Sequence, residues 1–273
     1  MSQGTAHPAA GQGIEVRHCH NLEEYNRCME LEREVWGSAD LDVVPSTIFV
    51  VAEETGGQIL GAFDHEAGGK MVGFTLALAA FRGGQRYLHS HMTAVLPAYQ
   101  NRGIGRMLKL LQRQDALERG IELVEWTFDP LEVRNAHFNL MRLGAIVRRF
   151  LPNVYGITTS PLHGGMPTDR LVAEWWIASP RVRTCVGENP ASAQATNGRP
   201  LLGTASPVQV LVPAEMPEWK KTDRNKALEA QRHIAGEFQK WFGRGYAAAG
   251  LELSAQGGRY LLVPYDSLPG RTK

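Results

Sequence analysis

The sequence predicts an α/β (α+β) fold, on three observations. Segments patterned as strands and as helices alternate from residue 14 to residue 178. Two strand segments, Gln58 to Asp64 and Lys70 to Phe81, are joined by the turn-length polar stretch His65-Glu66-Ala67-Gly68-Gly69. The stretch from Tyr87 to Gly120 then reads as a strand, a tight turn rich in backbone donors, and a helix.

Taken in order, residues 1–13 offer nothing to bury and are expected to form a flexible tail. Ile14 to Cys19 alternates as a first strand. Asn21 caps a helix, with Glu24 completing a capping box, an apolar face of Leu22, Tyr25, Met29 and Val35-Trp36, and Gly37 at the left-handed stop. Ser46 to Thr55 is open between a strand, for its β-branched residues, and a short helix, for its Pro45-Ser46 start and Gly56-Gly57 stop. The strand from Tyr87 to Val95 ends before Pro97, which cannot donate to a ladder. The following helix carries an apolar face of Met107, Leu108, Leu110, Leu111 and Leu117.

Glu122 to Phe128 is a strand broken by Asp129-Pro130, and Val133 to Leu143 a helix ended by Gly144. Ala145 to Phe150 and Leu171 to Ala178 are strands, separated by a long loop from Leu151 to Arg170. Residues 179–207 are rich in Pro, Gly, Asn, Ala and Ser and read as a linker or irregular crossing. Residues 208–273 form a β-α-β-β extension: strand Val208 to Val212, an amphipathic helix from Thr222 to Phe242, and a hairpin of Leu251 to Leu253 with Arg259 to Val263. That helix packs on the extension's own strands or forms the surface of a homodimer.

Composition bounds the function. At 273 residues the chain holds one large domain or two small ones, and its 43% hydrophobic content is ample for a core. A formal net charge of +1 gives no global attraction to nucleic acid or membrane. Cys19, Cys28 and Cys185 are odd in number and lack a C-x-x-C, which argues for a reducing compartment and against a structural zinc. The N-terminus has neither a basic start nor an apolar run, and no apolar stretch reaches the ~18 residues of a membrane span. A cytoplasmic protein is expected.

The chemistry centres on Gln100-Asn101-Arg102-Gly103-Ile104-Gly105, between strand and helix. Glycines let the backbone pack tightly and point successive N–H groups into one space, at a helix N-terminus suited to phosphate. A nucleotide P-loop requires Gly-Lys-Ser/Thr, and here Arg106 follows Gly105. A dinucleotide fold requires a third glycine and a distal acidic residue, both absent. Gln100-x-x-Gly103-x-Gly105, preceded by Val95, Pro97 and Tyr99, resembles the pyrophosphate loop of the GNAT acyltransferase superfamily. The chain is similar to one bacterial branch of it through Leu88-His89-Ser90-His91-Met92, Trp126 to Leu131, Asn135 to Asn139, Leu143-Gly144-Ala145, Pro152 to Gly156 and Asp169-Arg170-Leu171. Some members of that branch resemble amino-acid N-succinyltransferases.

The resemblance implies a mixed, mostly antiparallel central sheet with helices on both faces across residues 14–178, and an acyl-CoA co-substrate, acetyl-CoA or succinyl-CoA. Backbone groups at Ala94 and Val95 would hold the acyl carbonyl and pantetheine arm, and N–H groups from Arg102 through Ile104 to Arg106 the pyrophosphate. Gln100 and Asn101 complete the loop. Many members place a leaving-group tyrosine where this chain has Leu140, which leaves three alternatives: Tyr155 substitutes, a water does, or the thiolate departs without a side-chain acid.

Acyl transfer to an amine requires a neutral amine, a polarised thioester and a route for the proton. His91 is a candidate base, sharing a strand face with Thr93 and Val95 by alternation, although roughly 13 Å of strand separates it from Val95. The other reading is a histidine satisfied within the sheet. His89 and His91 lack a third ligand at motif spacing, so no metal is expected. Glu125 is a second base or a partner for a buried arginine, and Asp129 a strand terminator. Asn135 and Asn139, one helical turn apart, suit the amides of CoA or the substrate. Arg148 and Arg170 suit a carboxylate on an amino-acid acceptor or succinyl tail. Of Trp175 and Trp176 at most one can wall a pocket.

The function read from this is direct acyl transfer to a small amine in a ternary complex, since no cysteine sits where a ping-pong nucleophile is needed. The alternatives are a catalytically silent acyl-CoA sensor and a protein acetyltransferase.

Overall fold

Strand β2 (Gln58–Asp64) is buried along its whole length, a state a strand reaches where both sheet faces are covered. The computed structural model describes residues 13–37, 43–156, 165–188, 202 and 206–268, and the chain divides into two units, Met1–Arg119 and Gly120–Lys273. In the first unit β1 (Ile14–His18), β2, β3 (Lys70–Arg82) and β4 (Gln85–Val95) pair antiparallel in that order.

Helices α1 (Leu22–Trp36) and α2 (Ser46–Glu54) cover one face of this sheet. The rings of Phe49 and Phe74 lie 6.0 Å apart, and Cys28 meets Met71 at 3.8 Å. As expected, Asn21 Oδ1 caps α1 by accepting the Glu24 N–H at 2.9 Å, and Gly37 ends it in the left-handed region at φ 61. Glu24 reaches back to the His20 N–H rather than that of Asn21. The ambiguous Ser46 segment is helical, burying Phe49 and Ala52 at helical spacing. Its exit is tight: a Cβ on Gly57 would fall 2.3 Å from the Ala77 carbonyl oxygen.

Helix α3 (Ile104–Glu118) covers the opposite face, reaching Ser90, whose ladder partner Ala77 alternation sets opposite to Phe74 and Leu76. This layer is polar. Lys109 Nζ donates to Ser90 Oγ at 2.7 Å and to Gln112 Oε1 at 3.0 Å. Gln58 Nε2 donates to the Gln112 carbonyl at 3.1 Å and to the Asp115 carboxylate. Burial would raise the Asp115 carboxyl, but His18, Gln58 and Arg119 hold it at about 2.

The second unit carries the strand order β5 (Leu123–Phe128), β7 (Arg170–Trp176), β6 (Ile146–Leu151), β9 (Tyr246–Ser254), β10 (Gly257–Pro264), β8 (Val208–Pro213), with antiparallel pairs throughout. The strands of the expected extension therefore continue the sheet of β5 to β7, and the division into units falls at residue 119 rather than near 178–208. The hairpin is much longer than Leu251 to Leu253 suggests. Its extra length is the small-residue run Ala247-Ala248-Ala249-Gly250, low in strand propensity yet buried.

Three further segments depart from expectation. The region expected as a linker opens with helix α5 (Pro180–Val186), which Ser179 caps through the Val182 N–H and Gly187 ends at φ 87. A serine followed by proline at the first helical position is a helix start that the surrounding Pro and Gly content obscures. Residues 189–201 and 203–205 of that region lie outside the described residues, as do 1–12 of the tail and 157–164 of the long loop. The helix expected from Thr222 to Phe242 forms as α7 (Arg224–Phe242), and an unexpected short helix, α6 (Met216–Thr222), precedes it across Asp223, whose carboxylate accepts the Lys226 N–H at 3.0 Å. Phe238 of α7 packs edge-on to Tyr260 of β10 at 5.0 Å and stacks with Phe150 of β6 at 6.3 Å, so the helix rests on strands of its own unit. Helix α4 (Val133–His137) passes into a π-helical turn, Phe138–Arg142, where a regular helix to Leu143 was expected. The Leu143 N–H donates to Phe138 O at 3.0 Å, which inserts one residue into the helical repeat.

Complete burial lowers the Lys109 amine from 10.5 to about 7. The unfolded chain then binds the extra proton between those values, so stability rises with pH across that window, by at most about 1.4 kcal/mol per pH unit. Lys109→Met is expected to flatten this rise in denaturant melts at pH 7, 8.5 and 10. Equal slopes in the two proteins would mean that the buried amine stays charged.

Candidate functional site

The Gly-rich stretch lies at the end of β4, in the first unit. A single 3-10 turn, Pro97–Tyr99, leads into it, held by the Tyr99 hydroxyl donating to Asp64 Oδ2 at 2.8 Å. That bond, with the N–H groups of Ala67 and Glu66, keeps the Asp64 carboxyl below its usual range. Gln100 Nε2 donates to the Val95 carbonyl at 3.0 Å, so the glutamine ties the loop to the strand. Asn101 at φ 60 and Gly103 at φ 82 both take the left-handed region, and the chain coils through them into α3. Among the described residues none of the N–H groups from Asn101 to Gly105 donates to a backbone carbonyl. A Cβ built on Gly103 or Gly105 would meet nothing within 4 Å. Unpaired donors, a helix N-terminus and open space on the glycine side fit an anion such as the CoA pyrophosphate.

Val95 stands opposite Gly73, and the next residue, Leu96, donates to Val72 O at 2.9 Å. Antiparallel pairs alternate, so Val95 occupies a non-hydrogen-bonded position and its N–H points away from β3. This is the orientation an oxyanion donor at Val95 requires. Ala94 beside it is buried against the core.

His91 is placed differently from the expectation. Ser90 pairs with Ala77 and Met92 with Leu76, so His91 is the extra residue of a β-bulge. The bulge resets the alternation, and Thr93 and Val95 continue the face of Ser90. The His91 ring lies 6.1 Å from that of His89, and desolvation lowers its pKa, which favours the neutral base at pH 7.

In the second unit Tyr155 and Arg170 lie together. The Tyr155 hydroxyl shares a 3.2 Å hydrogen bond with Thr127 Oγ1 on β5, and the Arg170 guanidinium lies 5.3 Å from the Tyr155 ring centre. Asn153, at φ 43, accepts the Thr168 N–H through Oδ1 at 3.1 Å. Asp169 Oδ1 accepts the Asn153 N–H at 2.9 Å, and Tyr155 N–H donates to Thr168 Oγ1 at 2.9 Å. The base of the long loop is thereby pinned, with Tyr155 itself 54% exposed. Thr127 was missed in the sequence, although it alternates with Glu125 and Asp129 on one strand face.

Asn135 is exposed and Asn139 is buried within the π-helical turn. Asn139 Nδ2 has no hydrogen-bond partner among the described residues. An orphaned donor of that kind costs about 1–3 kcal/mol and invites a ligand acceptor. Leu140 is fully buried and supplies no proton.

Glu125 and Arg148 are engaged in a charge quartet. Glu125 and Glu174 stand directly opposite on β5 and β7, both 3% exposed, an arrangement that like charges oppose. Arg148 is the extra residue of a bulge in β6, which lets consecutive arginines reach the same face. Arg148 pairs with Glu174 at 2.6 Å and Arg149 with Glu125 at 2.8 Å. Of the two readings of Glu125, the geometry is that of an arginine partner. Arg148 also lies 4.2 Å from the Tyr265 ring, so its fork is occupied rather than open to a substrate carboxylate. Asp129 accepts the Leu131 N–H at 2.8 Å, as a strand terminator does. Trp175 is core, donating to Leu143 O at 2.7 Å, and only Trp176 is partly exposed.

Gly105 separates binding from stability cleanly, because its backbone is not left-handed and its Cβ position is open. Gly105→Ala is expected to stabilise α3 by up to about 1 kcal/mol. The same change is expected to weaken CoA binding about tenfold or more, since a methyl then occupies the cradle. Thermal melts and CoA titration of one preparation check both signs, and unchanged affinity would place the pyrophosphate elsewhere.

The chain was compared with known families, curated proteins and solved structures in turn. Residues 18–144 match the model of the Acetyltransferase (GNAT) family. No curated protein matches the chain. Among solved structures, the ribosomal-protein-S18-alanine N-acetyltransferase of Escherichia coli is 15% identical with a TM-score of 0.48, covering 60% of this chain and 94% of that one. The yncA protein of Salmonella typhimurium, solved with acetyl-CoA, is 16% identical with a TM-score of 0.49 and the same two coverages, 60% and 94%. The smu.2055 protein of Streptococcus mutans is 19% identical with a TM-score of 0.48, covering 60% of this chain and 99% of that one. These likenesses are too distant to say anything of substrate. The part of the chain from residue 18 to residue 144 is thus similar to the Acetyltransferase (GNAT) family.

Proposed function

We propose that this protein transfers an acyl group, acetyl or succinyl, from an acyl-CoA to the amine of a small molecule, an amino acid or related metabolite, by direct attack. The observation that carries the reading is the run of N–H groups from Asn101 to Gly105 without backbone acceptors, opening onto space that no Cβ enters. In the first unit these groups hold the pyrophosphate and the Val95 N–H polarises the thioester carbonyl. In the second unit Asn139, with Asn135, takes an acceptor of the pantetheine arm.

Tyr155 is the candidate proton donor to the leaving thiolate, with Thr127 fixing its hydroxyl. Arg170, beside that ring, orients an acceptor carboxylate. His91 takes the amine proton through water, being held below its ordinary pKa and so largely neutral at pH 7. Among the described residues there is no cluster of three or more metal-binding side chains and no helix long and apolar enough to cross a membrane.

A second reading, a catalytically silent acyl-CoA sensor, has one observation in its favour: the fully buried Leu140 at the position of the family's acid. Free-thiol release from acetyl-CoA and succinyl-CoA across a panel of amino acids, polyamines and peptides separates the two. Release with a small amine supports transfer, and tight CoA binding without release supports the sensor. Tyr155→Phe is expected to lower kcat about tenfold or more while leaving the KM for acyl-CoA within about twofold. Full activity in that variant would remove Tyr155 from the mechanism.

A further inference from the structure

Helix α5 lies beyond the family match, yet its Arg181 is fully buried in the second unit and grips backbone from two other elements. Its Nε donates to Gly144 O at 2.9 Å and its Nη2 to Leu140 O at 3.2 Å, both at the C-terminal end of the π-helical turn. The same Nη2 donates to Ala249 O of β9. A guanidinium suits the task, because its planar fork carries five donors and carbonyls at a helix end attract a cation. Desolvation lowers Arg181 to about 10, so it keeps its charge at neutral pH.

β9 and β10 grip the same segment at other points. The Leu251 N–H donates to Met141 Sδ at 3.3 Å, and the Tyr260 hydroxyl to Pro130 O at 2.8 Å, just ahead of α4. Gly258 lies so close to Val133 that an added Cβ would fall 2.5 Å from Val133 Cγ1. The segment held from all these points contains Asn139, whose buried Nδ2 lacks a partner among the described residues. The π-helical turn departs from the α-helical repeat before it, and contacts from outside the turn help set where Asn139 points.

We infer that Arg181 is a positioning residue for acyl-CoA, locking the π-helical turn so that Asn139 Nδ2 meets an acceptor on the pantetheine arm, with β9 as the anchor. The inference rests on the acyltransferase reading. It also gives the C-terminal strands a role: they hold a ligand-binding turn from behind.

The test begins with CoA titration and steady-state kinetics of the full chain. In Arg181→Met the KM for acetyl-CoA is expected to rise about tenfold, with kcat within about threefold and the amine KM unchanged. Lys, which keeps a cationic donor, should recover part of the loss. Asn139→Ala is expected to weaken CoA binding in the wild type but to add less than about twofold in the Arg181→Lys background, because the two act as one unit. Hydrogen exchange on the unmutated chain keeps the idea testable if a variant fails to fold. CoA should protect the amides of Phe138–Ala145 together with those of Ala249–Leu251. Protection confined to Asn101–Arg106, or unchanged CoA parameters in a folded Arg181 variant, overturns the inference alone. A wild type that binds no acyl-CoA overturns it together with the acyltransferase reading.

Discussion

A helix has to begin with N–H groups that its own repeat cannot satisfy, and here that constraint sits directly beyond the end of a strand. β4 stops at Val95, the chain coils through two left-handed residues, and α3 starts with its donors facing open space. The surrounding bonds serve to hold that geometry. Tyr99 is tied to Asp64, Gln100 reaches back to Val95, and the polar layer around Lys109, Gln58 and Asp115 seats α3 on the sheet. The loop's neighbours bind one another, while the N–H groups from Asn101 to Gly105 have no backbone acceptor among the described residues.

Three side chains of this protein owe their placement to breaks in regular structure. The bulge at His91 breaks the alternation of β4, the bulge at Arg148 brings two guanidiniums to one face, and the π-helical turn buries an amide donor. Each irregularity costs local pairing and sets a side chain where a straight strand or helix would not. Such departures are expected at sites that bind or react.

Much of the fold was legible in the sequence for plain reasons. Asn21 and Gly37 bracket α1 by capping chemistry, and the strand–turn–helix around Gly103 follows from glycine spacing and a proline stop. The strand, the turn and the start of α3 were therefore readable residue by residue. The bulges were not, because register is decided by the partner strand, and alternation alone put His91 on the face of Val95. α5 was hidden by its Pro- and Gly-rich surroundings, and with it Arg181. The pairing of Glu125 with Arg149 was open in the sequence, since the two lie on different strands and only the β6 bulge brings them together.

The charge quartet on β5, β6 and β7 carries a consequence for how this lineage can change. Two carboxylates face each other out of water and are balanced by two guanidiniums from neighbouring positions. Loss of one member strands a buried charge at a cost of several kcal/mol, whereas replacing an acid and its arginine together by apolar residues costs little. Descendants of this chain should therefore exchange Glu125 with Arg149, or Glu174 with Arg148, as couples, and single replacements should survive only briefly as intermediates.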